Sequence, residues 1–161
     1  MNFVKDDGGR SAAGFKGNAG DCVTRAVAIA AEMPYEEIYA RLASGAGRER
    51  KTRGATARNG IHTSRKWFKD FMRALGFEWT ATMGIGTGCK VHLHDGELPM
   101  GRLVVSVSKH YTAVIDGVIH DTFNPQREAH VMTFNGASSS DDPRVTHSIQ
   151  RRCVYGYWKL A

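Results

Sequence analysis

Cysteine is scarce in this chain: Cys22, Cys89 and Cys153 are the three it has in 161 residues, odd in number, far apart and without a CxxC pair. That pattern argues against a secreted disulfide framework, and a chain of this length buries about 70% of its unfolded surface without covalent staples. A reducing compartment is expected. Long apolar runs are also missing, since Leu103 to Val107 is far too short to cross a bilayer. Met1 to Ser11 is charged and Gly-rich and lacks the apolar core of a signal peptide. No internal repeat or linker divides the chain. The expectation is one soluble, intracellular domain over residues 1–161, flexible over 1–14 and without membrane partners.

The formal net charge is +6. Part of the excess is gathered in Arg48, Arg50, Lys51, Arg53 and Arg58, inside a Gly/Ala/Thr-containing stretch without apolar periodicity. Residues 45–60 are therefore expected to form a mobile basic loop. Through it, nucleic acid enters as the lesser partner class, because net charge alone does not make a nucleic-acid binder.

What is present is a helical first half followed by a β-rich second half. In DCVTRAVAIAAEM, Val23, Ala26, Val27 and Ala30 fall on one helix face, with Asp21 as N-cap and Cys22 as the first helical residue. Pro34 suits the first turn of a second helix, in which Ile38 and Leu42 repeat four apart before Gly45 and Gly47 end it. Thr63 or Ser64 would cap a third, with Trp67, Phe68, Phe71, Met72 and Leu75 as its apolar stripe and Gly76 closing it.

Strands are expected over Phe77–Thr82, Leu103–Ser108, Tyr111–Ile115, Val118–Asp121, His130–Phe134 and Val154–Leu160, with Asn135 to Pro143 as a polar surface loop. Asp116-Gly117 is a two-residue hairpin signal. Helices first and strands afterwards predict an α+β fold.

A thiol at a helix start feels the positive end of the backbone dipole and nearby N–H groups, which favour the attacking thiolate. Cys22 has that place; its plainer alternative is a small apolar residue beneath the helix. The Asp116-Gly117 turn would pair Ile115 with Val118 and Thr112 with Asp121. His110, Thr112 and Asp121 then share one face, with the carboxylate diagonally in reach of the imidazole. Such a carboxylate fixes the His tautomer and leaves the other ring nitrogen for a thiol proton.

AGDCVTRAVAIA followed far downstream by SKHYTAVIDGVIHDTFNP resembles the papain-like cysteine peptidase superfamily, in a compact form found in bacterial and phage proteins. The resemblance covers about a fifth of the chain. It implies a papain-like α+β fold, N-terminal helices packed on a C-terminal antiparallel sheet, and a Cys22–His110–Asp121 triad in a cysteine peptidase or amidase acting on a peptide or protein. It also implies a cytoplasmic setting, bacterial or in the host if phage-encoded.

Two departures stand out. Where the family carries an oxyanion-hole Gln the chain has Lys16, with Asn18 the nearest amide, and Val23 replaces the aromatic residue that often follows the nucleophile. A catalytically inactive papain-like protein gripping a host protein or nucleic acid is therefore an alternative. HYTAVIDGVIHDTFNP is also similar to the transglutaminase-like core, in which an amine rather than water takes the acyl group.

Other patterns carry less. Cys89, His92 and His94 form a C-x2-H-x-H cluster without an evident fourth ligand, so no metal is expected, and the triad requires no cofactor. Gly84, Gly86 and Gly88 lack Walker A spacing. His120 alternates away from Asp121 and is expected to be structural. His62, His130 and His147 belong to no recognisable pattern, and Asn124 is an alternative orienting group for His110.

Overall fold

The computed structural model describes residues 1–47 and 56–161. Arg48, Arg50, Lys51 and Arg53, four of the five basic residues of the expected loop, lie outside the described residues. The elements in chain order are β1 (Asn2–Lys5), α1 (Cys22–Ala31), α2 (Tyr35–Gly47), α3 (Lys66–Ala74), β2 (Phe77–Ala81), β3 (Arg102–Val107), β4 (His110–Ile115), β5 (Val118–Asp121), β6 (Glu128–Thr133), β7 (Thr146–Arg151) and β8 (Val154–Leu160). A six-stranded sheet runs in the order β1-β5-β4-β3-β8-β2, and β6 and β7 form a separate two-stranded sheet. All pairings are antiparallel except β1 with β5. The fold is α+β, with three helices and a large, mostly antiparallel sheet. Among the described residues no helix is long and apolar enough to cross a membrane.

Alternation along the strands divides the core in two. Val104, Ala113 and Trp158 pack with Val27, Ala30, Ile38, Leu42, Phe68 and Met72 from the three helices. On the other face Leu103, Val105, Val114, Ile119 and Val154 meet Leu93 and the partly buried Val91 and Leu98 of the irregular segment before β3. The sheet is thus covered on both sides, which is why β3 reads as a continuous apolar run. Arg102, at the start of β3, reaches across to α1. Its Nε donates to Ala30 O and its Nη2 to Ile29 O, both at 2.7 Å, so a cation from the sheet satisfies the last carbonyls of that helix.

Several expectations are corrected. Cys89 and Cys153 are joined in a disulfide with Cα atoms 5.8 Å apart, and Cys22 is the free cysteine. A separation of 64 residues hides the pair in the sequence; the bridge between His92 and Cys153 brings the segment before β3 against the start of β8. The N-terminal segment, expected to be flexible, supplies β1. Its turn is held by Asp6 and Asp7 side chains accepting from Gly8 N and Ser11 N, and beyond it Phe15 packs on Tyr35 and Tyr39. Short length and high polarity mask β1, because edge pairing with β5 supplies order that composition does not. β7 is likewise polar and exposed, and was not expected.

Helix ends differ too. Asp21 stands at the N-cap position of α1 without a side-chain capping bond, because its carboxylate is turned inward. Arg65, not Thr63 or Ser64, precedes α3 at its N-cap. Gly45 does not end α2. It lies inside the helix, where a Cβ would fall 2.4 Å from Cε3 of Trp67, so the glycine admits that ring.

Two outcomes follow from this packing. Thiol titration of the denatured chain without reductant gives one reactive group, and three after reduction; three from the start would disprove the Cys89–Cys153 bond. At Gly156 a Cβ would sit 2.3 Å from Cζ2 of Trp79 and 2.7 Å from the Thr80 carbonyl, which as backbone in a paired strand cannot move aside. Gly156→Ala therefore loses about 1–3 kcal/mol in urea denaturation.

Candidate active site

The nucleophile candidate owes its position to a buried charge. Asp21 is 1% exposed. Its Oδ2 accepts from Tyr35 Oη at 2.5 Å. Arg10 Nε lies 3.0 Å from Oδ2 and Arg25 Nη1 3.3 Å from Oδ1, close enough for ion pairs although Oδ1 and Arg10 Nε lack the angles of hydrogen bonds. Burial, with the Asp21 carboxylate alongside, pushes the Tyr35 phenol well up. Three segments are thereby fastened to the residue directly before Cys22.

The other two candidates come from the hairpin. The observed register pairs Ala113 with His120, Val114 with Ile119 and Ile115 with Val118, and continuing it sets Thr112 against Asp121 as the sequence predicts. Asp116 and Gly117 have φ of 47° and 80°, the two positive values that a type I′ turn demands. His110 Nε2 lies 2.6 Å from Asp121 Oδ2, with side chains 10% and 4% exposed. Thr122 N donates to Asp121 Oδ1 at 2.7 Å, fixing the carboxylate from its far side.

Cys22, at the first position of α1, lies beside His110 and the backbone N–H of Tyr111, both of which stabilise its thiolate. Nε2 being taken by Asp121, the ring nitrogen left for the thiol is Nδ1. The sequence-predicted trio is therefore assembled in the order thiol, imidazole, carboxylate.

Electrostatics follow from that order. Burial pushes the Cys22 thiol up, but the His110 hydrogen bond, the Tyr111 N–H and the charges of His110 and Arg25 outweigh it, and the thiol ends below its ordinary value. For His110 burial works downward, yet the bonds to Asp121 and Cys22 and their charges raise it from 6.5 to about 9. Asp121 is held below its ordinary range because the His110 bond and charge, with the Thr122 N–H, overcome burial. These directions favour a thiolate–imidazolium pair over two neutral groups.

The remaining candidates separate from the trio. Asn124 Oδ1 accepts from Gln126 N at 3.0 Å, and the side chain at His110 Nε2 is that of Asp121. Asn18 is exposed, and the contact it makes is through its carbonyl, which accepts from Arg58 Nη2 at 3.3 Å. The same guanidinium holds Lys16 O, so Arg58 braces the segment ahead of the nucleophile. The first-turn N–H groups of α1 have no acceptor within the helix and are the donors at hand for an oxyanion. His120 faces away from Asp121, with Nδ1 3.3 Å from Asp6 Oδ2.

Of the zinc-compatible cluster, Cys89 is spent in the disulfide, His92 Nδ1 lies 3.0 Å from Glu97 and His94 Nε2 3.7 Å from Glu128. Among the described residues no three His, Cys, Asp or Glu side chains are grouped to hold a metal. His130 and His147 do have partners: each other, with Nε2 and Nδ1 3.1 Å apart on adjacent strands of the small sheet.

Two contributors escaped the sequence. Arg152, 8% exposed, donates from Nη2 to Ser108 O at 2.6 Å and from Nη1 to Pro125 O at 3.0 Å. It ties together the turn before His110 and the segment after Asp121, and no local pattern marks an arginine for that task. Phe123 sets its ring 5.0 Å from the His110 ring while itself 52% exposed, so it shields the imidazole from solvent. Its place two residues after Asp121 was the available signal.

No family model, curated protein or solved structure matches this chain.

Ring titration by NMR tests the electrostatics. His110 titrates at about 9, and in Asp121→Asn its titration moves downward, since burial then acts against one partner fewer. A wild-type value near 6.5 would contradict the ion pair.

Proposed function

We propose that the protein is a thiol-dependent acyl-transfer enzyme of papain-like build, a cysteine peptidase or amidase with Cys22 as nucleophile, His110 as general acid and base and Asp121 as orienting carboxylate. The observation that carries this reading is the His110 ring held by Asp121 Oδ2 at 2.6 Å with the Cys22 thiol beside it at the start of α1. A buried histidine with a carboxylate on one nitrogen and the thiol of a helix's first residue on the other fits nucleophilic catalysis better than packing.

In the reaction the Cys22 sulfur attacks an amide carbonyl carbon and the carbonyl π pair moves to oxygen. N–H groups at the start of α1 receive the oxyanion. As it collapses the C–N bond breaks, and His110 gives its proton to the departing amine, leaving a thioester on Cys22. Water, or an amine, then gives a proton to His110 and attacks the thioester carbon. The C–S bond breaks and the thiolate returns beside the imidazolium. Asp121 keeps its own charge throughout and stabilises the cationic ring. The substrate is a peptide or protein segment lying between the helices and the sheet.

Iodoacetamide labelling of Cys22 across pH, followed by mass spectrometry, tests the reading. Labelling persists well below the free-thiol range of about 8.5 and slows at least roughly tenfold at pH 6 in His110→Ala. Cys22→Ala abolishes cleavage of a mixed peptide library. Labelling of Cys22 that follows an ordinary thiol in both proteins would overturn the proposal.

A further inference from the structure

A hollow of about 320 Å³ opens between α3 and the sheet, lined among others by Lys69, Arg73, Trp79, Ser106, Tyr111, Tyr155 and Trp158. Tyr111 joins this hollow to the candidate triad. It lines a small crevice together with Cys22, while it also borders the hollow and its hydroxyl donates to Thr63 Oγ1 at 2.9 Å. The floor is a cross-strand row in which Tyr111 of β4 pairs with Ser106 of β3, and Ser106 with Gly156 of β8. Small Ser106 leaves the depression, Gly156 beside it seats the Trp79 ring, and large aromatics wall the space.

Trp79, which packs on Trp158 with ring centroids 5.2 Å apart, and Tyr155 keep 41% and 38% of their surfaces exposed. Lys69 and Arg73, one turn apart on α3, stand over the same space, and no carboxylate lines it. Asp70 is the acid on that stretch of helix, and it is shared between Lys66 and Arg73. The volume is at the small end of ligand sites, about 300–1,000 Å³, the size for one side chain and not for a folded surface.

Resting on the acyl-transfer reading above, we infer that this hollow is the specificity site of the enzyme and takes an aromatic residue of the substrate peptide flanked by carboxylates. The ring lies against Trp79 and Tyr155. Lys69 and Arg73 meet the flanking acids, and because both are exposed they contribute selectivity and rate of encounter more than raw affinity. The arrangement also explains why the sheet has glycine at position 156: any side chain there would displace the Trp79 ring that walls the hollow.

Binding without turnover provides the test. In Cys22→Ala protein the three indole N–H signals are followed by NMR during titration with acetyl-Glu-Phe-Glu-amide, with acetyl-Gln-Phe-Gln-amide and acetyl-Glu-Ala-Glu-amide as controls. The first peptide shifts Trp79 and Trp158 and leaves Trp67, which packs against Gly45 outside the hollow. Each control binds at least tenfold more weakly, and Lys69→Gln with Arg73→Gln removes the difference between the Glu and Gln peptides. Equal affinities for all three, or shifts centred on Trp67, would overturn the assignment. So would adenosine monophosphate binding as tightly as the acidic peptide, because the hollow would then be a nucleotide site.

Labelling of wild-type Cys22 separates the two claims. An activated thiol with no peptide binding sinks the hollow alone, whereas peptide binding beside an inert thiol sinks the mechanism alone.

Discussion

A carboxylate taken out of water must be matched by partners, and in this protein the carboxylate is Asp21. Its counter-groups are drawn from three places: Arg10 in the N-terminal segment, Arg25 one turn along α1 and Tyr35 at the start of α2. Removing one partner of such a buried set costs about 3–5 kcal/mol, so the three segments are held in a single arrangement. The residue that follows is Cys22. An N-cap side chain would ordinarily bond the first turn of its own helix. Here that role is given up, and the first-turn N–H groups stay available to a sulfur or an oxyanion. The position of the thiol is thus set by an electrostatic requirement one residue away, not by packing of the thiol itself.

The rest of the site works by opposing burial. For Cys22, His110 and Asp121 alike, desolvation disfavours the charged form, and mutual bonding and charge reverse that preference. The three therefore depend on one another: an isolated member would be pushed toward neutrality. Arg152, joined to Ser108 and Pro125, holds the two ends of the hairpin that carry the imidazole and the carboxylate. Because Arg152 immediately precedes Cys153, the disulfide anchors the same corner.

Legibility in the sequence followed how local the determining physics is. The first position of α1 and the β4–β5 register were readable because helix periodicity and the Asp-Gly turn act within a few residues. The trio was readable because register converts one turn into a statement about faces. The disulfide, the Arg152 ties and the Asp21 network join residues far apart in the chain, and nothing near any of them announces the partner. β1 and β7 escaped for a related reason: a polar strand at an edge or in a two-stranded arm gains its order from a neighbour. Gly45 misled because glycine marks a helix end and a close ring approach with the same letter.

The strand order has a consequence for how the protein comes into being. β2 is paired with β8 alone, and β8 is inserted between β3 and β2 although it is the last of these strands in the chain. Residues 154–160 follow α1 and the β4–β5 hairpin in the chain. Their entry into the sheet brings Arg152 to Ser108 and Pro125 and sets Gly156 beneath the Trp79 ring. One strand thus completes both the corner that holds His110 and Asp121 and the seat of the Trp79 ring, and neither is finished until β8 closes the sheet.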